Sequence, residues 1–326
     1  MTIAPDIRDR LTLPAFCAPM FLCSNVDLAV ESCKAGIVGS ITSSPYRTIE
    51  LFERDMTRIS EALAKVREQD PDRKIGPLAV NVPPNKNLEE YRRYLEICAR
   101  HDARIIVTSA ADPRQSVAPI HDLGMLHFHD VTNIRFAELA ANAGVDGLVA
   151  IGAGGGGHAG TISHLALLPK IRAMFEGTIV MAGAVSNGAA IRAAEILGAD
   201  LAYLGTRFIA SCESAAPHAY KEMLVAAGVE DVVYTRGVNG VPASWLKASL
   251  RQAGLDPDNL FLPEGRSTEH LPEGKKPWRD IWSGGQGVGL IDDIPKVADL
   301  VRQLRREYVA ACRTPDMVDA ALTQPL

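Results

Sequence analysis

The sequence predicts an α/β protein built as a (β/α)8 (TIM) barrel, with a mostly helical subdomain inserted after strand 8. Three observations carry this. Eight short apolar runs recur along the first two-thirds of the 326 residues. They are near-continuous rather than alternating, as strands covered on both faces must be. Between them lie Ala-, Leu-, Arg- and Glu-rich segments suited to crossover helices, several closed by a Gly just before the next strand. Strand–helix alternation implies a parallel sheet, and eight such units fill a closed barrel of about 250 residues plus additions. A six-stranded doubly wound sheet is the alternative.

The runs, in order, are 14–20 (PAFCAPM), 36–41 (GIVGSI), 77–82 (PLAVNV), 104–109 (RIIVTS), 125–131 (MLHFHDV), 147–151 (GLVAI), 178–183 (TIVMAG) and 201–208 (LAYLGTRF). Ala35-Gly36, Ala143-Gly144 and Leu197-Gly198 punctuate the helix ends, where Gly takes the left-handed conformation without a Cβ penalty. Residues 1–210 form the predicted barrel. Residues 211–277, richer in polar helix formers and then in Pro, Gly and charge, form the insertion, read as a lid, a homodimer surface or both. Residues 278–326 return as WSGGQGVGLIDDIP and a last helix. Its Val297, Leu300, Val301 and Leu304 fall on one face, and Arg302, Arg305 and Arg306 on the solvated one.

A content of 47% hydrophobic and 22% charged residues excludes a disordered tail or a small disulfide scaffold. Lys plus Arg total 34 against 39 Asp plus Glu, a net charge of −5. The basic excess that nucleic acid demands is absent, so no nucleic-acid partner is expected. No apolar stretch reaches the roughly 20 residues of a membrane-spanning helix, and the N-terminus has no signal-peptide pattern. The six cysteines are scattered without a CxxC pair. A reduced, cytoplasmic protein without membrane contact is expected.

In such a barrel, chemistry collects on the loops after the strands. Ala18-Pro19-Met20 follows the first strand, and Asn81 ends the third. Gly183-Ala184-Val185 ends the seventh, and Gly205-Thr206 the eighth. Glycine-rich turns after strands seven and eight, one leading into a helix at Ser186-Asn187-Gly188-Ala189, expose several amides together. They serve either as tight turns or as a phosphate site. Gly152, Gly154 and Gly157 match GxGxxG, but no helix starts at once and the next strand ends in Met181-Ala182-Gly183, so a Rossmann site is rejected. His158 ends that loop at the rim, where imidazole can exchange a proton near neutral pH. His127 and His129 share one strand face. Two ligands are too few for a metal, and HExxH is absent, so no metal site is assigned. His101, His121, His164 and His218 are read as having no chemical role.

Taken in order, these motifs resemble the nitronate monooxygenase family, FMN-dependent barrels to which bacterial NADH:quinone reductases and flavin-dependent enoyl-ACP reductases are similar. The matching pieces are Ala18-Pro19-Met20, Asn81, Gly157-His158-Ala159-Gly160, Met181-Ala182-Gly183-Ala184, Gly205-Thr206-Arg207-Phe208 and Trp282-Ser283-Gly284-Gly285-Gln286-Gly287. The likeness is weakest over 211–277. It implies non-covalent FMN, contacted by Ala18, Pro19, His129, Gly157 and Ala184, with Met20 and Asn81 beside the flavin and Gly183, Gly205 and Thr206 around its phosphate. Ser283 and Gln286 reach the flavin edge, and His158 is the catalytic base. Two departures stand out. The family's Glu-Ala-Gly-Gly-His-like stretch is Gly154-Gly155-Gly156-Gly157-His158 here, and a position after strand five that often carries Lys holds Asp130 or His129.

The implied activity is oxidation of alkyl nitronates or nitroalkanes by O2 to a carbonyl compound and nitrite. The alternative within flavin chemistry is an NAD(P)H-dependent reductase of quinones or enoyl thioesters. Outside it stand a metal-dependent barrel hydrolase or lyase using His127, His129 and His158, and a barrel that senses a phosphorylated ligand.

Overall fold

The computed structural model describes residues 3–84 and 87–313. After a short helix α1 (Pro5–Arg8), strands and helices alternate: β1 (Ala15–Cys17), α2 (Val26–Lys34), β2 (Gly39–Thr42), α3 (Ile49–Gln69), β3 (Leu78–Asn81), α4 (Leu88–Arg100), β4 (Ala103–Thr108) and α5 (Arg114–His121). The second half continues with β5 (Leu126–Val131), α6 (Ile134–Ala143), β6 (Gly147–Ile151), α7 (His164–Arg172), β7 (Thr178–Ala182), α8 (Gly188–Ile196) and β8 (Leu201–Leu204). All eight strands pair in parallel in one sheet. A bridge from Phe16 to Val38 brings β1 against β2 and nearly closes the barrel. Helices α2, α4, α6 and α8 each start at an Asn (Asn25, Asn87, Asn133, Asn187) whose side chain accepts an amide of the first turn. Gly36, Gly144 and Gly198 all have positive φ, as their helix-end positions require.

The strand period of two divides the core. Phe16, Val38, Ala79, Val107, Phe128, Val149, Val180 and Leu201 fill the barrel interior, with Ile3 and Ile7 among them. The residues out of phase with them, such as Cys17, Leu148, Met181 and Leu204, face outward into the helix layer. Helix α12 (Val297–Ala311) buries Val297, Leu300, Val301 and Leu304 in that layer. Residues 314–326 of the predicted C-terminal segment lie outside the described residues.

Two details differ from the sequence reading. The eighth strand stops at Leu204 rather than at Phe208, because Gly205 turns into the right-handed region and 206–209 coil as one helical turn, α9 (Thr206–Ile209). The insertion holds α10 (His218–Ala226) and α11 (Lys247–Gln252), but also an antiparallel ribbon of β9 (Val232–Thr235) and β10 (Ala243–Leu246). The β-branched run Val232-Val233-Tyr234-Thr235 suits a strand. Four of the six free cysteines, Cys17, Cys23, Cys33 and Cys98, are buried. Among the described residues, no helix is long and apolar enough to cross a membrane.

Candidate active site

The next inward position on most strands, above the apolar interior, lines a cavity of about 530 Å³ at the barrel's C-terminal end. Counting two residues up from Phe16, Ala79, Phe128, Val180 and Leu201 gives Ala18, Asn81, Asp130, Ala182 and Tyr203, all on the cavity wall. Asn81 is fixed there: its Nδ2 donates to the Val107 carbonyl at 3.1 Å, and its Oδ1 accepts from Thr42 Oγ1 at 3.0 Å. Met20 is held by its amide, which donates to Ser24 Oγ at 2.8 Å.

One wall is a corner of main chain. Gly183, Ala184, Val185, Ser186, Gly205 and Thr206 all line the cavity. Among the described residues, the amides of Ala184, Val185 and Thr206 have no protein acceptor. Ala184 sits at φ +56°, in the left-handed region that costs a non-glycine residue energy. The buried Ser186 hydroxyl also lacks a partner. The corner therefore presents donors without acceptors, which suits an anion. The start of α8, expected from sequence to share in this, does not: Asn187 Oδ1 accepts the Ala190 amide at 2.8 Å, and the Gly188 amide donates to Glu307 Oε2 at 2.8 Å. The Arg207 guanidinium turns away to Asp293, 2.7 Å distant.

The insertion and the returning segment form the opposite wall. Tyr220 stacks on Trp282 with ring centroids 5.0 Å apart and donates its hydroxyl to the Ser283 carbonyl. Ser244 N–H donates to the Gly157 carbonyl at 2.8 Å, and Gln286 N–H to the Gly154 carbonyl at 2.9 Å. A Cβ at Gly285 would lie 2.6 Å from the Gly154 carbonyl oxygen, so only glycine permits this approach. Ser283, Gly285 and Gly287 line the cavity.

His158 stands on the wall at the mouth, its ring 5.3 Å from Trp278. The ring is open to the cavity, yet enough protein surrounds it that burial, aided by the Arg266 charge, lowers its pKa below the ordinary imidazole value. A neutral imidazole facing a cavity can accept a proton. Pro19 and Gly157 also line the space.

Two predicted contacts fall outside it. His129 is out of phase with Phe128 and points into the helix layer, where Nδ1 lies 2.7 Å from Thr108 Oγ1; Thr108 Oγ1 also meets His127 Nε2 at 2.7 Å. The inward residue of this pair is Asp130. Gln286 joins a 3-10 turn, and its side chain is exposed beside Gly154 instead of lining the cavity. With His127 and His129 turned outward and His158 at the rim, the three histidines of the metal alternative are not assembled. Among the described residues, no group of three or more His, Cys, Asp or Glu is placed to hold a metal. His164, given no role from sequence, packs its ring against Gly152, where a Cβ would lie 2.5 Å from its Cε1. Sequence reasoning missed Tyr203, Tyr220 and Trp278, and named Ser186 only for its backbone; for Tyr203, the count of two from an interior residue was the available signal.

Fold and cavity together define a (β/α)8 barrel with its candidate site on the strand-end loops. The nitronate monooxygenase family model matches residues 9–307, and the chain belongs to that family. It is an oxidoreductase of a flavoenzyme family. It is 28% identical to a nitronate monooxygenase of Pseudomonas aeruginosa, over 90% of this chain and 95% of the relative. It is 27% identical to the 5-hydroxy-7a-methyl-1-oxo-octahydro-1H-indene-4-carboxyl-CoA dehydrogenase of Rhodococcus jostii, over 53% of this chain and about half (49%) of that relative's length. The fold is that of the nitroalkane oxidase from Streptomyces ansochromogenes, with a TM-score of 0.74, 24% identity and coverage of 93% and 97% of the two chains.

Proposed function

We propose that this protein is an FMN-dependent nitronate monooxygenase that oxidises alkyl nitronates with O2 to a carbonyl compound and nitrite. The observation that carries the reading is the placement of His158, unprotonated near neutral pH, on the same cavity wall system as a corner of unpaired amides. The residues present fit FMN. Ala184, Val185, Ser186 and Thr206 supply donors for a phosphate, and Gly183 and Gly205 line the space beside them. Met20 and Asn81, both lining the cavity, would flank a flat ring lying on its floor. Bound flavin supplies the electron transfer; the protein supplies binding, orientation and proton movement.

His158 Nε2 or Nδ1 takes the α-proton of a neutral nitroalkane, and the resulting imidazolium holds the nitronate by charge. Such general base catalysis is typically worth about 10²–10⁴-fold. Trp278 stands beside His158 at that step, and Tyr220 lines the facing wall. The absorption spectrum of the purified protein, followed by anaerobic mixing with a nitronate, tests the reading. Flavin bands with reduction by the nitronate are expected, and a colourless protein that refuses FMN overturns it.

A second reading, an NAD(P)H-dependent reductase acting on quinones or enoyl thioesters, is favoured by the likeness to the carboxyl-CoA dehydrogenase. Prompt anaerobic bleaching by NADH or NADPH, with no response to nitronates, selects it.

A further inference from the structure

One carboxyl group on the cavity floor has no task in base catalysis at His158. Asp130 occupies the inward position above Phe128 on β5 and lines the cavity. Its Oδ1 is sealed from solvent and has no hydrogen-bond partner among the described residues. No cation compensates it: burial alone raises its pKa to about 7. Across the floor, the Tyr203 phenol on β8 is held well above its usual pKa, first by burial and then by Asp130. The carboxyl's other oxygen, Oδ2, also has no protein partner among the described residues but stays accessible from the cavity, so a ligand there can supply the donor that the protein does not.

The amide corner lies on the β7 and β8 loops, whereas Asp130 ends β5, several strands around the barrel. A ligand anchored by its phosphate at the corner and filling the cavity presents its ring system to the floor. The pyrimidine edge of an isoalloxazine carries an N–H donor between two carbonyl acceptors. A carboxylate accepts from the N–H, and a protonated carboxyl donates to a carbonyl. Reduction adds electron density to that ring, and an adjacent carboxylate in a low-dielectric site disfavours it.

We propose that Asp130 is a cofactor-contacting residue that pairs with the pyrimidine edge of the bound flavin and, as an anion, holds its reduction potential down. The proposal rests on the FMN reading. The other groups facing this space are uncharged at neutral pH: Thr42 from β2, Asn81 from β3, Ser109 after β4 and Tyr203 from β8. Ala18, Ile151 and Ala182 from β1, β6 and β7 are apolar; the remaining titratable groups are His158 at the mouth and, on the facing wall, Cys23 and Tyr220, both kept neutral by burial. Asp130 is thus the one acid on the floor among the described residues.

The test is a spectroelectrochemical titration of FMN-loaded wild-type and Asp130→Asn proteins at about pH 8.5 and about pH 5.5, either side of the Asp130 pKa. At the higher pH, the variant is expected to favour reduced flavin at least tenfold more than wild type, a rise of about 30 mV in the two-electron potential. At the lower pH, below the raised Asp130 pKa, the carboxyl is mostly neutral and the difference is expected to shrink several-fold. A merely structural side chain would not produce that pH-dependent gap. Asp130→Ser provides the same comparison where the Asn variant does not fold. Equal potentials at both pH values in two FMN-loaded proteins overturn this proposal alone. Failure of the wild-type protein to take up FMN overturns the cofactor reading and this proposal with it.

Discussion

Thr206 Oγ1 accepts the amide of Gly285 at 3.0 Å, so the turn after β8 and the segment returning from the insertion are fixed to each other across the barrel mouth. The bond joins two stretches 79 residues apart in sequence. Thr206→Val keeps the shape, removes the acceptor and leaves a part-buried N–H without a partner. A loss of about 1–3 kcal/mol is expected. It would be read as a lower urea midpoint with an unchanged m-value, whereas Thr206→Ser should stay close to wild type. An equal midpoint for Thr206→Val would mean that water replaces the bond.

Gly188 is the point where α8 meets α12. A Cβ there would overlap the Leu304 carbonyl oxygen and the Tyr308 amide nitrogen, both main-chain atoms that cannot swing aside. Gly188→Ala is therefore expected to part the two helices and to destabilise by about 1–3 kcal/mol or more. Gly265 faces open space at an ordinary φ, so Gly265→Ala should stay within about 0.5 kcal/mol. Thermal unfolding of the two variants side by side checks the contrast. Similar melting temperatures would refute it.

The barrel was legible because buried parallel strands write themselves as apolar runs: each of the eight runs overlaps one observed strand, six containing it whole and those of β2 and β4 missing one end residue. The loop glycines likewise marked the site before any coordinates. What failed was phase and context. In Leu126–Val131 both faces carry polar groups, so the pattern alone did not say whether His129 or Asp130 looks inward; Phe128 in the interior settles it by the period of two. Gln286 sits in a glycine-rich stretch whose 3-10 turn no periodicity announces. The occupied start of α8 was hidden for another reason: its partner, Glu307, lies 119 residues away. The isolation of the Asp130 carboxyl is a property of seven other strands and is written in none of them.

Acid should weaken this fold through the outward face of β5. Burial, then the His129 and His121 charges, lower the His127 pKa to about 3, and burial lowers that of His129 to about 4. The unfolded chain binds protons on both rings below about pH 6.5, which the folded protein refuses. Stability is therefore full above about pH 6.5 and falls as pH drops toward about 4, with a slope of at most about 1.4 kcal/mol per pH unit for each ring. His127→Gln removes one of the two, and its urea midpoint should fall less steeply between neutral and mildly acidic pH. Parallel midpoint curves for variant and wild type would assign the acid loss to other groups.

The proposed base makes the sharpest kinetic forecast. His158→Asn keeps a polar side chain at the cavity mouth but cannot take a proton. Turnover of neutral nitroalkanes should drop by about 10²–10⁴-fold, while bound FMN and turnover of preformed nitronates stay near wild type, since a nitronate arrives already deprotonated. Because burial and then Arg266 lower the His158 pKa, the acid limb of kcat/KM for nitroalkanes should fall below about pH 6.5, the free imidazole value. Arg266→Ala removes one of the two causes and should move that limb upward while leaving the plateau in place. A limb that ignores Arg266, or equal losses on nitroalkane and nitronate in His158→Asn, would take proton abstraction away from His158 and leave it a positioning role at the mouth.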